Sequence, residues 1–199
     1  YEGYRWTTLA AAGAALAGVG LVALLYGYWG RALMRRLWFP LLYLLFLIPP
    51  PYAIMGPLTR GLKLWVAATA VHLVGAAGVE TAVSGDAVFV DQYELLVEAA
   101  CSGMNSIVGL AAVGLFYLYG RHQDDVARLG TVAVLIVPIA MLANLLRVAT
   151  LLWLVHAFGD AILGTLLHPV VGIAMFVAAM AMLAAADALV GTLGPWRRA

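Results

Sequence analysis

Four stretches of this 199-residue chain, 7–29, 96–119, 129–155 and 169–190, each run for about 20 apolar residues or more with at most one charged side chain. Coiled as a helix at roughly 1.5 Å per residue, each is long enough to cross the hydrocarbon layer of a bilayer. With 65% hydrophobic and 11% charged residues and a mean hydropathy of +0.99, the chain holds more apolar surface than a soluble core can bury. It reads as an integral membrane protein. The formal charge of +1, from 11 Lys and Arg against 10 Asp and Glu, leaves no basic excess to track a phosphate backbone and argues against nucleic acid as a partner. The chain begins at Tyr1 rather than Met, which reads as a trimmed or processed N-terminus with room for segments upstream.

Between the first two stretches the apolar pattern is broken. Segment 37–48 runs into Pro49, Pro50 and Pro51, which cannot continue a regular helix, and segment 64–79 follows Arg60 and Lys63. Lys and Arg mark cytoplasmic loops. Arg31, Arg35 and Arg36, then Arg121 and Arg128, then Arg197 and Arg198 form three such places. No Lys or Arg lies between Lys63 and Arg121, and the polar part of that interval carries Glu80, Asp86, Asp91, Glu94 and Glu98. It reads as external. Passing from a cytoplasmic Arg36 to an external Glu80 needs an odd number of crossings, so one of segments 37–48 and 64–79 is re-entrant or interfacial. The sequence does not decide which.

The expected fold is all-α: a polytopic helical membrane protein with about five to six transmembrane helices, read as five crossings plus one partial, re-entrant segment. A short external loop completes it, where Val88 and Val90 alternate with polar neighbours after Ser84, Gly85 and Asp86 and suggest a small hairpin. A single domain is expected over 1–199.

Polar residues inside spans are costly and are therefore the first places to look for chemistry. They are Cys101, Asn144, Arg147, His156 and His168. Counted along helices, Cys101, Arg147 and His168 each lie roughly 27–33 Å from the cytoplasmic ends of their segments, so all three are expected in the same outer layer. A thiol, a guanidinium and an imidazole sharing one layer can perform acyl transfer. The thiolate attacks, and a cysteine near a helix start beside a cation has a lowered pKa. A histidine carries the proton, and an arginine binds the carbonyl oxygen as it becomes negative.

Structural readings stay open for each residue. A free cysteine packs as a small apolar group, Arg147 can snorkel to the headgroups, and His168 before Pro169 can be a loop residue or helix cap. His72 and His156 read as structural or interfacial, and His122 as a cytoplasmic loop residue. Glu98, one turn before Cys101, could orient the site or stand as a solvated external acid. Asn144 shares a helix face with Arg147 and could hydrogen-bond between helices. One cysteine excludes an internal disulfide, and the histidines lack a shared helical spacing with a carboxylate, so no metal site and no cofactor are expected.

The stretch Glu98 to Ser106, centred on Cys101, Ser102 and Gly103, resembles the signature of the exosortase and archaeosortase family. Two further blocks agree in order: Asn144, Leu145, Leu146, Arg147 and Val148 resemble the family's Asn-x-x-Arg block, and His168 to Gly172 resembles its third block, a His followed four residues later by Gly. The likeness extends from about Arg31 to Val190, with Phe39-Pro40 through Pro50 and Leu62-Lys63 similar to the less specific lead-in. Two positions depart from the pattern. Asn105 stands where many bacterial members carry a basic residue, and Pro169 where an acidic residue often follows the histidine.

The resemblance implies a membrane-embedded cysteine protease or transpeptidase of the plasma (inner) membrane, its active site facing outward. Its partners would be exported proteins with a C-terminal sorting signal, made of a short motif, a transmembrane helix and a basic cluster, together with membrane lipid and an amine or lipid acceptor. By residue match, Cys101 would be the nucleophile, Arg147 the transition-state or substrate-binding cation and His168 the general acid/base, with Glu98, Ser102, Asn105 and Asn144 in support. If water resolves the thioester, the protein is a hydrolytic cysteine protease instead. A small transporter or assembly subunit is the non-enzymatic rival, and it requires that Cys101→Ser keep full function.

Overall fold

A computed structural model describes residues 2–47, 52–85, 87–96 and 103–193. The chain divides into two compact units, Tyr1–Arg60 and Gly61–Ala199. In the first, helix α1 (Glu2–Tyr43) takes up the expected stretch 7–29 and continues past Gly30, whose φ of +69° and ψ of −167° are not helical. Glycine adopts that conformation without a Cβ clash, so α1 is two helices joined at a kink. Beyond Pro40, α1 passes into a 3₁₀ turn, Leu44–Leu47. Phe39 is buried there. It stacks on Tyr43 at 5.7 Å, and Tyr43 meets Phe46 at 5.4 Å. Residues Pro49, Pro50 and Pro51 lie outside the described residues.

Helix α2 (Tyr52–Ala76) runs unbroken through Pro57, Arg60 and Lys63. Its C-terminal half, in the second unit, is apolar on the side of Val66, Ala67, Ala70 and Val74, all buried. The helix stops where Gly78 takes φ +95°. There the Gly78 N–H bonds the Gly75 carbonyl at 2.9 Å and the Val79 N–H reaches the Val74 carbonyl at 3.5 Å. This is the Schellman pairing, and it comes with its usual apolar contact, since Val74 and Val79 share one core cluster.

Strands β1 (Thr81–Ser84), β2 (Ala87–Val90) and β3 (Tyr93–Leu96) form an antiparallel sheet in that order. The two turns use positive φ at Gly85 (+58°) and Asp91 (+51°), as two-residue hairpin loops require. Val88, Val90 and Leu95 point into the core against α2 and against Leu145, Val148, Leu152 and Val155 of the long helix that follows. The expected hairpin is present and carries a third strand. Leu96, expected at the start of a span, instead closes β3; residues 97–102 lie outside the described residues, and the next described helix is α3 (Gly103–His122).

Helices α4 (Val126–Phe158) and α5 (Leu167–Leu193) contain the expected spans 129–155 and 169–190 and are linked by a 3₁₀ turn, Asp160–Gly164. Asp125 caps α4 by accepting the Arg128 N–H at 3.0 Å. Leu110 and Leu118 of α3, Leu129, Val132, Ile136, Ala140 and Ala143 of α4, and Ala179 and Leu183 of α5 make the second core cluster. Gly114 permits it, because a Cβ there would stand 2.9 Å from Leu183 and 3.3 Å from Ile136.

Among the described residues, three helices are long and apolar enough to cross a membrane, Leu9–Tyr43, Val126–Phe158 and Pro169–Leu193, with a shorter apolar helix at Ile107–His122. The structure is that of a helical membrane protein, and among the described residues the candidate spans are fewer than the five crossings expected. Arg60 and Lys63 lie within α2 and lower its hydropathy, and residues 97–102 of the expected stretch 96–119 lie outside the described residues.

Candidate functional site

Asn144 and Arg147 lie three residues apart on α4, so their side chains leave the same helix face. Both are buried, at 4% and 9% exposure. They line a cleft of about 30 Å³ between three helices, with Leu110 contributed by α3 and Gly172, Phe176 and Ala179 by α5. A volume of that size exceeds the roughly 10–15 Å³ that one water needs, so the cleft admits a small polar group. The Asn144 Oδ1 atom is buried there with no hydrogen-bond partner among the described residues.

Arg147 packs against the backbone of Gly172. A Cβ at Gly172 would be 3.4 Å from Cζ and Nη2 of Arg147. The same pairing recurs at the far end of the helices, where a Cβ at Gly191 would meet Arg128 Nη2 at 2.5 Å. Arg128 and Arg147 are nineteen residues apart, as are Gly172 and Gly191. Helices α4 and α5 are therefore antiparallel in a fixed register across roughly 28 Å.

The start of α5 suits its sequence. Thr165 Oγ1 accepts the Leu167 N–H at 3.3 Å, and Pro169 falls in the first turn, where its missing N–H has no intrahelical bond to lose. His168 belongs to this first turn, four residues before Gly172. Its side chain is outside the described residues, as is that of Asn105 in the first turn of α3. Glu98, Cys101 and Ser102 also lie outside them. Of the expected site residues, the structure brings Asn144 and Arg147 together, and Gly172 of the third motif joins them.

Helix α3 runs parallel to α5. A Cβ at Gly109 would touch Phe176 and one at Gly114 would touch Leu183. The offset, 67 to 69 residues, puts Gly103 of α3 level with Val170 to Gly172 of α5.

The opposite end of the bundle holds a site that sequence reading missed. Asp187 of α5 is 1% exposed. Its Oδ1 receives Arg128 Nη2 at 2.9 Å and Arg128 Nε at 3.2 Å, and pairs with His122 Nε2 at 2.8 Å. Its backbone carbonyl takes Arg128 Nη2 at 3.0 Å, and Arg121 Nε stands 3.3 Å from Oδ2. His122, expected in a loop, is instead the last residue of α3 and part of this cluster. A single Asp in an apolar run signals cost, and only the fold supplies its three partners.

At the sheet end, His156 Nδ1 lies 2.6 Å from Asp91 Oδ2, tying the β2–β3 turn to the last turn of α4. Among the described residues, no three His, Cys, Asp or Glu side chains are grouped to hold a metal ion.

Compared with known protein families, residues 4–185 match the model of the Transmembrane exosortase family. No curated protein and no solved structure matches the chain. The match covers most of the sequence and all three motifs, and the chain belongs to the transmembrane exosortase family. Membership supports, in general terms, a membrane-embedded sorting transpeptidase.

Proposed function

We propose that this transmembrane exosortase is a cysteine transpeptidase that cleaves the C-terminal sorting signals of exported proteins and passes them to an amine or lipid acceptor. One observation supports the reading: the Asn-x-x-Arg face of α4 and Gly172, the last residue of the third motif, line one cleft in which Arg147 is buried. A buried guanidinium is expensive in a membrane helix, and a developing oxyanion would use it.

Cys101 precedes Gly103 of α3 by two residues in sequence, and Gly103 is level with Val170 to Gly172, the residues that follow His168 and Pro169. In the proposed reaction the Cys101 thiolate bonds the scissile carbonyl carbon. Arg147 binds the oxygen while it is negative. The C–N bond then breaks with its electron pair on nitrogen, which takes a proton from the His168 imidazolium and leaves as an amine. The acceptor amine then bonds the thioester carbon and gives its proton to the neutral His168, and the C–S bond breaks with its electron pair on sulfur, returning the Cys101 thiolate. Glu98, Ser102 and Asn105 flank the nucleophile in sequence and would support it.

The sheet end would face outward from the plasma membrane. Glu80, Asp91 and Glu94 sit at that end, whereas Arg121 and Arg128 sit at the other.

The test is processing of a co-expressed substrate with a C-terminal signal, by wild type and by Cys101→Ala at matched membrane levels. Loss of the mass shift with accumulation of precursor supports the reading; continued processing by Cys101→Ala sinks it. Added amines separate the two fates of the thioester, since a product that never incorporates amine makes the protein a protease.

A further inference from the structure

Resting on the transpeptidase reading, we propose that Asn144 is the residue that holds the leaving side of the substrate: its Oδ1 accepts a backbone N–H from the segment just beyond the scissile bond. Three observations carry this. The side chain is 4% exposed, its Oδ1 has no hydrogen-bond partner among the described residues, and it lines the same cleft as Arg147. An unsatisfied buried amide oxygen costs stability unless something fills it. The cleft has room for a small polar group, and Ala140, Ala143, Gly172 and Ala179 leave part of its wall, shared with Leu110, Met175 and Phe176, low enough for a peptide N–H to approach.

Depth decides which part of the substrate Asn144 meets. It lies three residues before Arg147 on α4, roughly 4.5 Å further from the sheet end. An extended peptide advances roughly 3.3 Å per residue. If Arg147 binds the oxygen of the attacked carbonyl, Asn144 is level with the next residue toward the membrane interior. For a substrate whose signal motif precedes its transmembrane helix, that residue is on the leaving side. The first N–H groups of such a helix have no intrahelical acceptor, and lipid offers none. The enzyme has an acceptor without a donor where the substrate has donors without an acceptor.

A leaving-side contact is lost once the C–N bond has broken and the amine has departed. Substitution at Asn144 therefore slows formation of the acyl-enzyme and leaves its resolution by amine unchanged. A structural hydrogen bond between helices would behave otherwise. Its loss would lower the thermal midpoint and slow both steps together.

The experiment uses the full chain in detergent with a purified substrate bearing a C-terminal signal, and compares wild type with Asn144→Leu, which keeps the branching and the number of side-chain heavy atoms, and Asn144→Ala. The expected result is precursor consumption slowed about tenfold in both variants, an unchanged rate of acyl-enzyme resolution by added amine, and an Asn144→Leu midpoint equal to or above that of wild type. Wild-type consumption in both variants overturns the proposal, and so does a lowered midpoint with equal slowing of both steps. A wild type that processes nothing overturns the transpeptidase reading itself, an outcome distinct from either.

Discussion

Arg147 rests on the bare backbone of Gly172, close enough that an added Cβ would lie 3.4 Å from its guanidinium carbon. That spacing is ordinary van der Waals contact, so a methyl group fits and a branched chain does not. Gly172→Ala is expected to keep substrate processing close to wild type. Gly172→Leu is expected to displace the guanidinium, at a cost of about 1–3 kcal/mol, and to abolish processing while the protein still inserts. Processing by the two variants at matched membrane levels checks this.

Asp187 fixes the other end of the same helix pair. Asp187→Ala removes the carboxylate shared by His122 and Arg128 and is expected to destabilise the protein by about 3 kcal/mol. Arg121→Ala removes a partner that is 62% exposed and should cost less than about 1 kcal/mol. Thermal unfolding in micelles separates the two. Equal effects would show that the cluster is not organised around Arg128.

The contact at Gly191 gives an independent probe of that register. A Cβ there would fall 2.5 Å from Arg128 Nη2, so Gly191→Ala must push Arg128 off Asp187. A loss on the order of 1–3 kcal/mol is expected. In an Asp187→Ala background, where the displaced bond no longer exists, the same substitution should cost much less, and a double-mutant cycle measures the difference.

Gly114 is the tightest point between α3 and its neighbours. Gly114→Val places branched carbon against Leu183 and Ile136 and is expected to cost about 1–3 kcal/mol. Gly120, whose Cβ would meet nothing within 4 Å, should accept Ala without loss. Paired thermal midpoints test both.

Much of this arrangement was readable in the sequence. The apolar runs 129–155 and 169–190 fall inside α4 and α5, and the spacing of Asn144 and Arg147 put them on one face before any coordinates. Valines alternating after Ser84-Gly85 marked the hairpin, since buried strand positions recur every second residue. The third strand was not readable. Leu95 and Leu96 are as apolar as any residue of a membrane helix, and only sheet pairing, Val88 with Leu95 and Ala87 with Leu96, assigns them to a strand. Asp187 and Gly172 were unreadable as partners for the same reason, because each matters through a side chain brought from another helix. Cys101 and the His168 side chain, the centre of the sequence argument, lie outside the described residues.

The most direct test of the account is the intact mass of the enzyme after brief exposure to a substrate with a C-terminal signal, without added amine. The account predicts a mass increase equal to the acyl fragment, lost on treatment with hydroxylamine, located on Cys101 and absent from Cys101→Ala. Processing by wild type with no adduct at Cys101, and with Cys101→Ala equally active, would contradict it.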